Sequence, residues 1–136
     1  MKLFNTFTLS LLSIISAHQL TLTSENFDKE VGSGNWLIMY YSPTCKYSKM
    51  MLGPWKESTE AKAKDGKDRG FHFATVDCKA LPDLCKKNKI VGFPTINVYQ
   101  TGQLKEEYMG DSITSELTKY IDIVSTKYQT NNKKKY

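Results

Sequence analysis

The sequence predicts an α/β domain: a mixed β-sheet flanked by helices on both faces. Two observations carry this. Trp36 to Tyr41 is a continuous apolar and aromatic run, the pattern of a central strand buried on both sides. Around it strands and helices alternate, until a turn at Gly102 closes a hairpin and an amphipathic helix ends the pattern. Alternation demands parallel crossovers and the hairpin an antiparallel pair, so both kinds of pairing belong to one sheet.

Each element has its own signal. A short strand is expected at Leu20 to Leu22, and Ser24 before ENFDKEV reads as a capped helix start. Gly32, Ser33 and Gly34 break that helix ahead of the Trp36 strand. From about Cys45 a long helix should run toward Lys64, with Pro54 as a kink, since proline removes one helical hydrogen bond. KDGKDRG, 64 to 70, reads as a loop, Phe71 to Val76 as a strand and Pro82 to Asn88 as a short helix. Ile90 to Phe93 leads to Pro94; Thr95 to Tyr99 is a strand, and Gly102 turns into a partner at Lys105 to Tyr108. In the last helix, Ser112 to Lys127, the spacing puts Ile113, Leu117, Ile121 and Val124 on one inner face.

This domain is expected at residues 18–128. Before it, MKLFNTFTLSLLSIISA has an early lysine, an apolar run and Ala17 at a plausible cleavage position, so 1–17 reads as a secretory signal peptide. The alternative is a disordered or interfacial arm. No later stretch is long and apolar enough to span a bilayer, so any membrane association falls to domains absent here. Residues 129–136 read as a basic polar tail or the start of a linker. The net charge of +5 is scattered among acids rather than gathered on one stripe, which argues against a nucleic-acid partner. There is no Asn-x-Ser/Thr acceptor.

Entry to the secretory pathway permits disulfides, and three cysteines divide naturally into one pair and one free thiol. Only His18 and His72 are available to join them, with no recognisable zinc spacing, so neither a metal nor a cofactor is implied. Cys45 is the candidate nucleophile. At a helix start its thiolate would face unpaired backbone N–H groups and the positive end of the helix, which lowers a thiol pKa. Lys46 and Lys49 add a smaller, screened contribution. The alternative is an inert core cysteine, against which the polar neighbours Lys46, Tyr47 and Ser48 argue.

LTSENFDKEV, YYSPTCKYSK, ATVDCKALPDLC and VGFPT, in this order, resemble the thioredoxin superfamily, and within it a domain of the protein disulfide isomerase family. The resemblance covers most of residues 20 to 125 and implies a thioredoxin-like fold. It implies that Pro94 is a cis-proline facing Cys45, a plain turn proline being the alternative. It also implies a structural disulfide between Cys78 and Cys85; two buried thiols or a second redox pair are its rivals. Tyr41, Tyr47, Phe93, Pro94 and Thr95 would then form the rim that faces a substrate.

Several positions depart from the family. Ser48 stands where an oxidoreductase has its second cysteine, Met39 where a buried acid assists resolution, Thr75 where a lysine is common, and Tyr47 where a histidine is common. Release of a mixed disulfide needs a second attacking thiolate, and a hydroxyl cannot supply it. A trap engineered by replacing cysteine would have left the Met39 and Thr75 positions intact. Pro54 falls one residue later than the family's helix proline, so an extra residue or local bulge is expected in the helix.

Cys-Lys-Tyr-Ser resembles the Cys-Arg-Phe-Ser site of an endoplasmic-reticulum chaperone of the family that retains clients and an oxidase by mixed disulfides. The expected function is therefore a secretory-pathway thiol chaperone working through one cysteine, with weak isomerase activity a further expectation. It would not be a dithiol oxidoreductase. Its expected partners are unfolded or cysteine-containing proteins and a thiol oxidase. The alternative is a non-catalytic thioredoxin-like module that binds peptides. The endoplasmic-reticulum lumen is the expected location; the sequence ends NNKKKY without a retrieval signal, so secretion is the alternative.

Overall fold

In the computed structural model, residues 19–130 are described. The signal-peptide assignment and most of the basic tail lie outside them. The elements are β1 (Leu20–Thr21), α1 (Phe27–Val31), β2 (Asn35–Tyr41), α2 (Lys46–Asp68), β3 (Phe71–Asp77), α3 (Pro82–Lys87), β4 (Thr95–Gln100), β5 (Gln103–Glu107) and α4 (Thr114–Lys127). They form one five-stranded sheet in the order β1-β3-β2-β4-β5. β3 pairs in parallel with β1 and β2, whereas β4 runs antiparallel to both β2 and β5. This is the expected mixed sheet and a thioredoxin fold.

β2 is buried on both faces because side chains alternate along a strand. Trp36, Ile38 and Tyr40 pack with Phe27, Val31 and Leu84 on the face of α1 and α3. Leu37 and Met39 pack with Met51, Trp55, Leu117 and Ile121 on the face of α2 and α4. Each large apolar side chain withdrawn from water contributes about 1.5–3 kcal/mol, so β2 anchors both cores at once.

Several boundaries differ from the sequence expectation. α1 begins after Asn26, not Ser24, and the Asn26 side chain accepts the Thr23 N–H at 2.8 Å instead of capping the helix. α2 continues through the expected loop to Asp68, with no π turn anywhere in it, so Pro54 brings no bulge. Ile113 lies outside α4 in extended backbone (φ −122°) and is 47% exposed, so it does not join the inner face. β5 starts at Gln103 because Thr101 and Gly102 both adopt positive φ, 47° and 80°, and close a two-residue hairpin. Thr130 donates its N–H to the Arg69 carbonyl at 3.1 Å, so the chain stays packed on the domain beyond 128.

Candidate functional site

The antiparallel sense of β4 builds the site. β2 and β3 end at Tyr41 and Asp77, and β4 begins at that same edge, with Thr95 opposite Tyr40. The chain leaving β2 therefore meets the chain entering β4. Residues 42–45 turn tightly, the Cys45 N–H bonding the Ser42 carbonyl at 3.0 Å, and Cys45 becomes the residue that precedes α2. The Phe93–Pro94 peptide is cis. The Phe93 carbonyl oxygen lies 3.7 Å from Cys45 Sγ, as an acceptor for the thiol.

Cys45 is a free, half-buried cysteine. The Ser48 backbone N–H is the main influence holding its thiol below the ordinary value, helped by the Tyr47 N–H and the Ser48 hydroxyl and opposed by partial desolvation. These are the open donors of the first helical turn, which favour the thiolate. The first turn of α2 carries Lys46 and Lys49 and no acid to counter that effect.

Ser48 is fully buried beneath this turn, and its Oγ accepts the Ser42 N–H at 3.0 Å. It braces the loop that presents Cys45. Behind it Met39 is also fully buried, packed with Met51 and Trp55. A carboxylate in that apolar setting would need a partner, and Thr75, across the sheet from Met39, offers no positive charge. Without a thiol at 48 or an acid at 39, the site lacks the groups that resolve a mixed disulfide from within.

The other candidates divide by exposure. Tyr47 is 65% exposed beside the thiol, and Tyr41, Phe93, Pro94 and Thr95 are partly exposed around it. Thr95 donates its hydroxyl to the Gly92 carbonyl at 2.7 Å and so holds the loop before β4. Cys78 and Cys85 are joined in a disulfide, with Cα atoms 5.7 Å apart, and both are buried. The Cys78 N–H bonds the Tyr41 carbonyl at 2.8 Å, so this loop stands against the end of β2.

Sequence reasoning missed the third wall. Tyr108, Gly110, Asp111 and Ser112, between β5 and α4, line a groove together with Tyr47, Phe93 and Pro94. No local signal in the sequence marks it, because the contact joins chain segments far apart in sequence. Among the described residues no cluster of His, Cys, Asp or Glu could hold a metal, and no helix is long and apolar enough to cross a membrane.

Comparison with known proteins adds four likenesses. Residues 18–123 match the family model described as Thioredoxin. The chain is 33% identical over 105 residues to Protein disulfide isomerase-like 2-1 of Oryza sativa, covering 76% of this chain and 28% of that protein. It is 28% identical over 115 residues to Endoplasmic reticulum resident protein 44 of Mus musculus, covering 82% and 28%. Among solved structures, the first two thioredoxin domains of Saccharomyces cerevisiae Eps1p superpose with a TM-score of 0.73 at 26% identity, covering 78% of this chain and 40% of that one. The chain spans about a quarter of the length of these two curated relatives.

Proposed function

The chain belongs to the thioredoxin family, and on that premise we propose that it is a thiol chaperone of the secretory pathway working through Cys45 alone. The observation that carries the reading is the pairing of a favoured thiolate at the start of α2 with a buried hydroxyl, Ser48, in the resolving position. The likeness to Endoplasmic reticulum resident protein 44 supports it, and supports the endoplasmic-reticulum lumen as its location. Residues 1–17 would direct it there as a cleaved signal peptide.

The Cys45 thiolate attacks one sulfur of a client disulfide. A new bond forms from Cys45 Sγ to that sulfur, the old S–S bond breaks, and the second client sulfur leaves as thiolate and takes a proton from water. The first turn of α2 stabilises the attacking anion. Ser48 cannot expel the client, so the adduct persists until an outside thiolate attacks it or the client's own freed thiol returns. Return to a different sulfur is isomerisation, which gives the site weak isomerase activity without a dithiol cycle. Tyr41, Tyr47, Phe93, Pro94 and Thr95 contact the segment around the client cysteine. Unfolded or cysteine-bearing proteins are the partners, a thiol oxidase among them.

The exposed apolar side chains Tyr47, Val91 and Met109 favour a second reading, a module that binds peptides without covalent capture. Incubation with oxidised glutathione, acid quenching and peptide mapping without reduction separates the two. Thiol capture gives a mixed disulfide on Cys45 with Cys78–Cys85 intact. A Cys45 that stays unmodified from about pH 6 to 9, across the usual thiol titration range, leaves only the binding module.

A further inference from the structure

A groove of about 290 Å³ opens beside the thiol, lined by Tyr47, Met51, Phe93, Pro94, Ile96 and Tyr108. Its far end is the turn from Gly110 to Ser112. That turn is built to stay in place. The Tyr108 hydroxyl donates to the Asp111 carbonyl at 2.8 Å, and Gly110 lies so close to the Tyr108 ring that a Cβ would sit 2.5 Å from its hydroxyl oxygen.

Three carboxylates gather where this end meets α4. Asp111 belongs to the turn itself, and Glu116 accepts the Asp111 N–H at 3.2 Å. Glu57 accepts the Thr114 hydroxyl at 2.9 Å. None of the three takes part in an ion pair among the described residues. The start of α4 contributes about half a positive charge, well short of balancing three negative ones. At the thiol end the sign reverses, since Lys46 and Lys49 occupy the first turn of α2. Aromatic and aliphatic side chains therefore wall the groove between the basic first turn of α2 and the acidic start of α4.

We propose that the groove selects the client segment around the captured cysteine, preferring an apolar side chain beside that cysteine and an arginine or lysine about two to four residues away, at strand-like spacing. This rests on the thiol-capture reading and adds specificity to it. The apolar residue fills the space between Tyr47 and Tyr108, and the cation reaches Asp111 and Glu116. The protein's overall charge of +5 repels basic peptides at long range, but that effect is screened within about 8 Å at physiological salt. Short-range attraction at the acidic end persists.

The test uses cysteine peptides activated as 2-pyridyl disulfides. Attack by Cys45 on the peptide sulfur releases pyridine-2-thione, which reports the rate by absorbance. Paired peptides differ only in carrying Arg, Ala or Glu near the cysteine, on either side. At physiological salt the best-placed Arg peptide should react about three- to tenfold faster than its Glu counterpart, the range of one or two exposed ion pairs. The D111N/E116Q variant, which keeps the hydrogen-bond geometry, should lose that preference. Equal rates for Arg and Glu peptides, or a preference that survives in the variant, overturn the proposal.

The small neutral disulfide 2,2′-dithiodipyridine serves as the control, because it reports Cys45 reactivity without the groove. If Cys45 fails to react with it, thiol capture falls by itself. Fluorescence anisotropy of the same peptides with cysteine replaced by alanine then decides the groove: tighter binding of the Arg peptide, lost in D111N/E116Q, upholds it, and equal binding overturns it.

Discussion

Two cysteine-bearing loops leave the same end of the sheet. The loop after β2 carries Cys45, half-buried and free, with the open N–H groups of a 23-residue helix beneath it. The loop after β3 carries Cys78, nearly fully buried and closed on Cys85 seven residues later. Only one strand spacing and one hydrogen bond, Cys78 N–H to the Tyr41 carbonyl, separate the two loops. The chemistry of a thiol here follows its surroundings. Helix donors and partial exposure favour a reactive anion at Cys45, while packing against Leu84 and Ile38 consigns Cys78 and Cys85 to a structural link.

The sharpest way to break this contrast is Cys45→Ser. It should abolish the glutathione adduct completely while leaving the Cys78–Cys85 link in the peptide map. Adduct formation elsewhere in that variant would show that the buried pair is not inert. The reverse change, Cys78→Ala with Cys85→Ala, should lower unfolding stability by about 2–3 kcal/mol from the lost loop restraint. Chemical denaturation reads that loss, and the rate of Cys45 modification should stay within about twofold, since its helix donors are untouched. A collapse of Cys45 reactivity would mean that the two loops act as one unit.

Ser48→Cys tests what the hydroxyl withholds. A thiol there should attack the Cys45 adduct and cut its steady-state amount on the order of tenfold, as followed by mass spectrometry after glutathione challenge. The absence of an acid at Met39 keeps this below the efficiency of a complete oxidoreductase. Ser48→Ala has the smallest effect. It removes one of three influences that lower the Cys45 pKa, so the pH profile of thiol alkylation should move upward. The thiolate is the reactive form, and a raised pKa means less of it at neutral pH. The rate near pH 7 should fall about two- to threefold. An unchanged profile would assign the depression to the helix N–H groups alone.

Much of this was legible in the residues. The run Trp36 to Tyr41 marks a strand that must be covered twice, and no other part of the chain is as continuously apolar. The serine three residues after Cys45 is a chemical fact of the sequence, and so are Met39 and Thr75, because a missing thiol, acid or amine needs no coordinates to be seen. Local signals failed where packing outweighed them. Gly66 reads as a loop residue, and glycine costs a helix about 1 kcal/mol relative to alanine. Yet α2 runs through it, since a Cβ there would meet the Phe71 carbonyl oxygen at 2.9 Å and the Phe73 ring at 3.1 Å. The close approach of helix to strand selects glycine and keeps it helical. Ile113 follows the helical spacing of α4 but precedes its first turn, so periodicity placed it on a face it does not join.

The sequence alone determined most of the strands, the candidate nucleophile and the lack of a thiol at position 48 or an acid at position 39, since these are properties of residue type and local order. Tertiary structure decided what surrounds that atom. The antiparallel return of β4 sets the Phe93 carbonyl against the thiol, and the turn after β5 adds Tyr108 and Asp111 to the groove. Those contacts join segments distant along the chain, and only the closed sheet and its two cores bring them together.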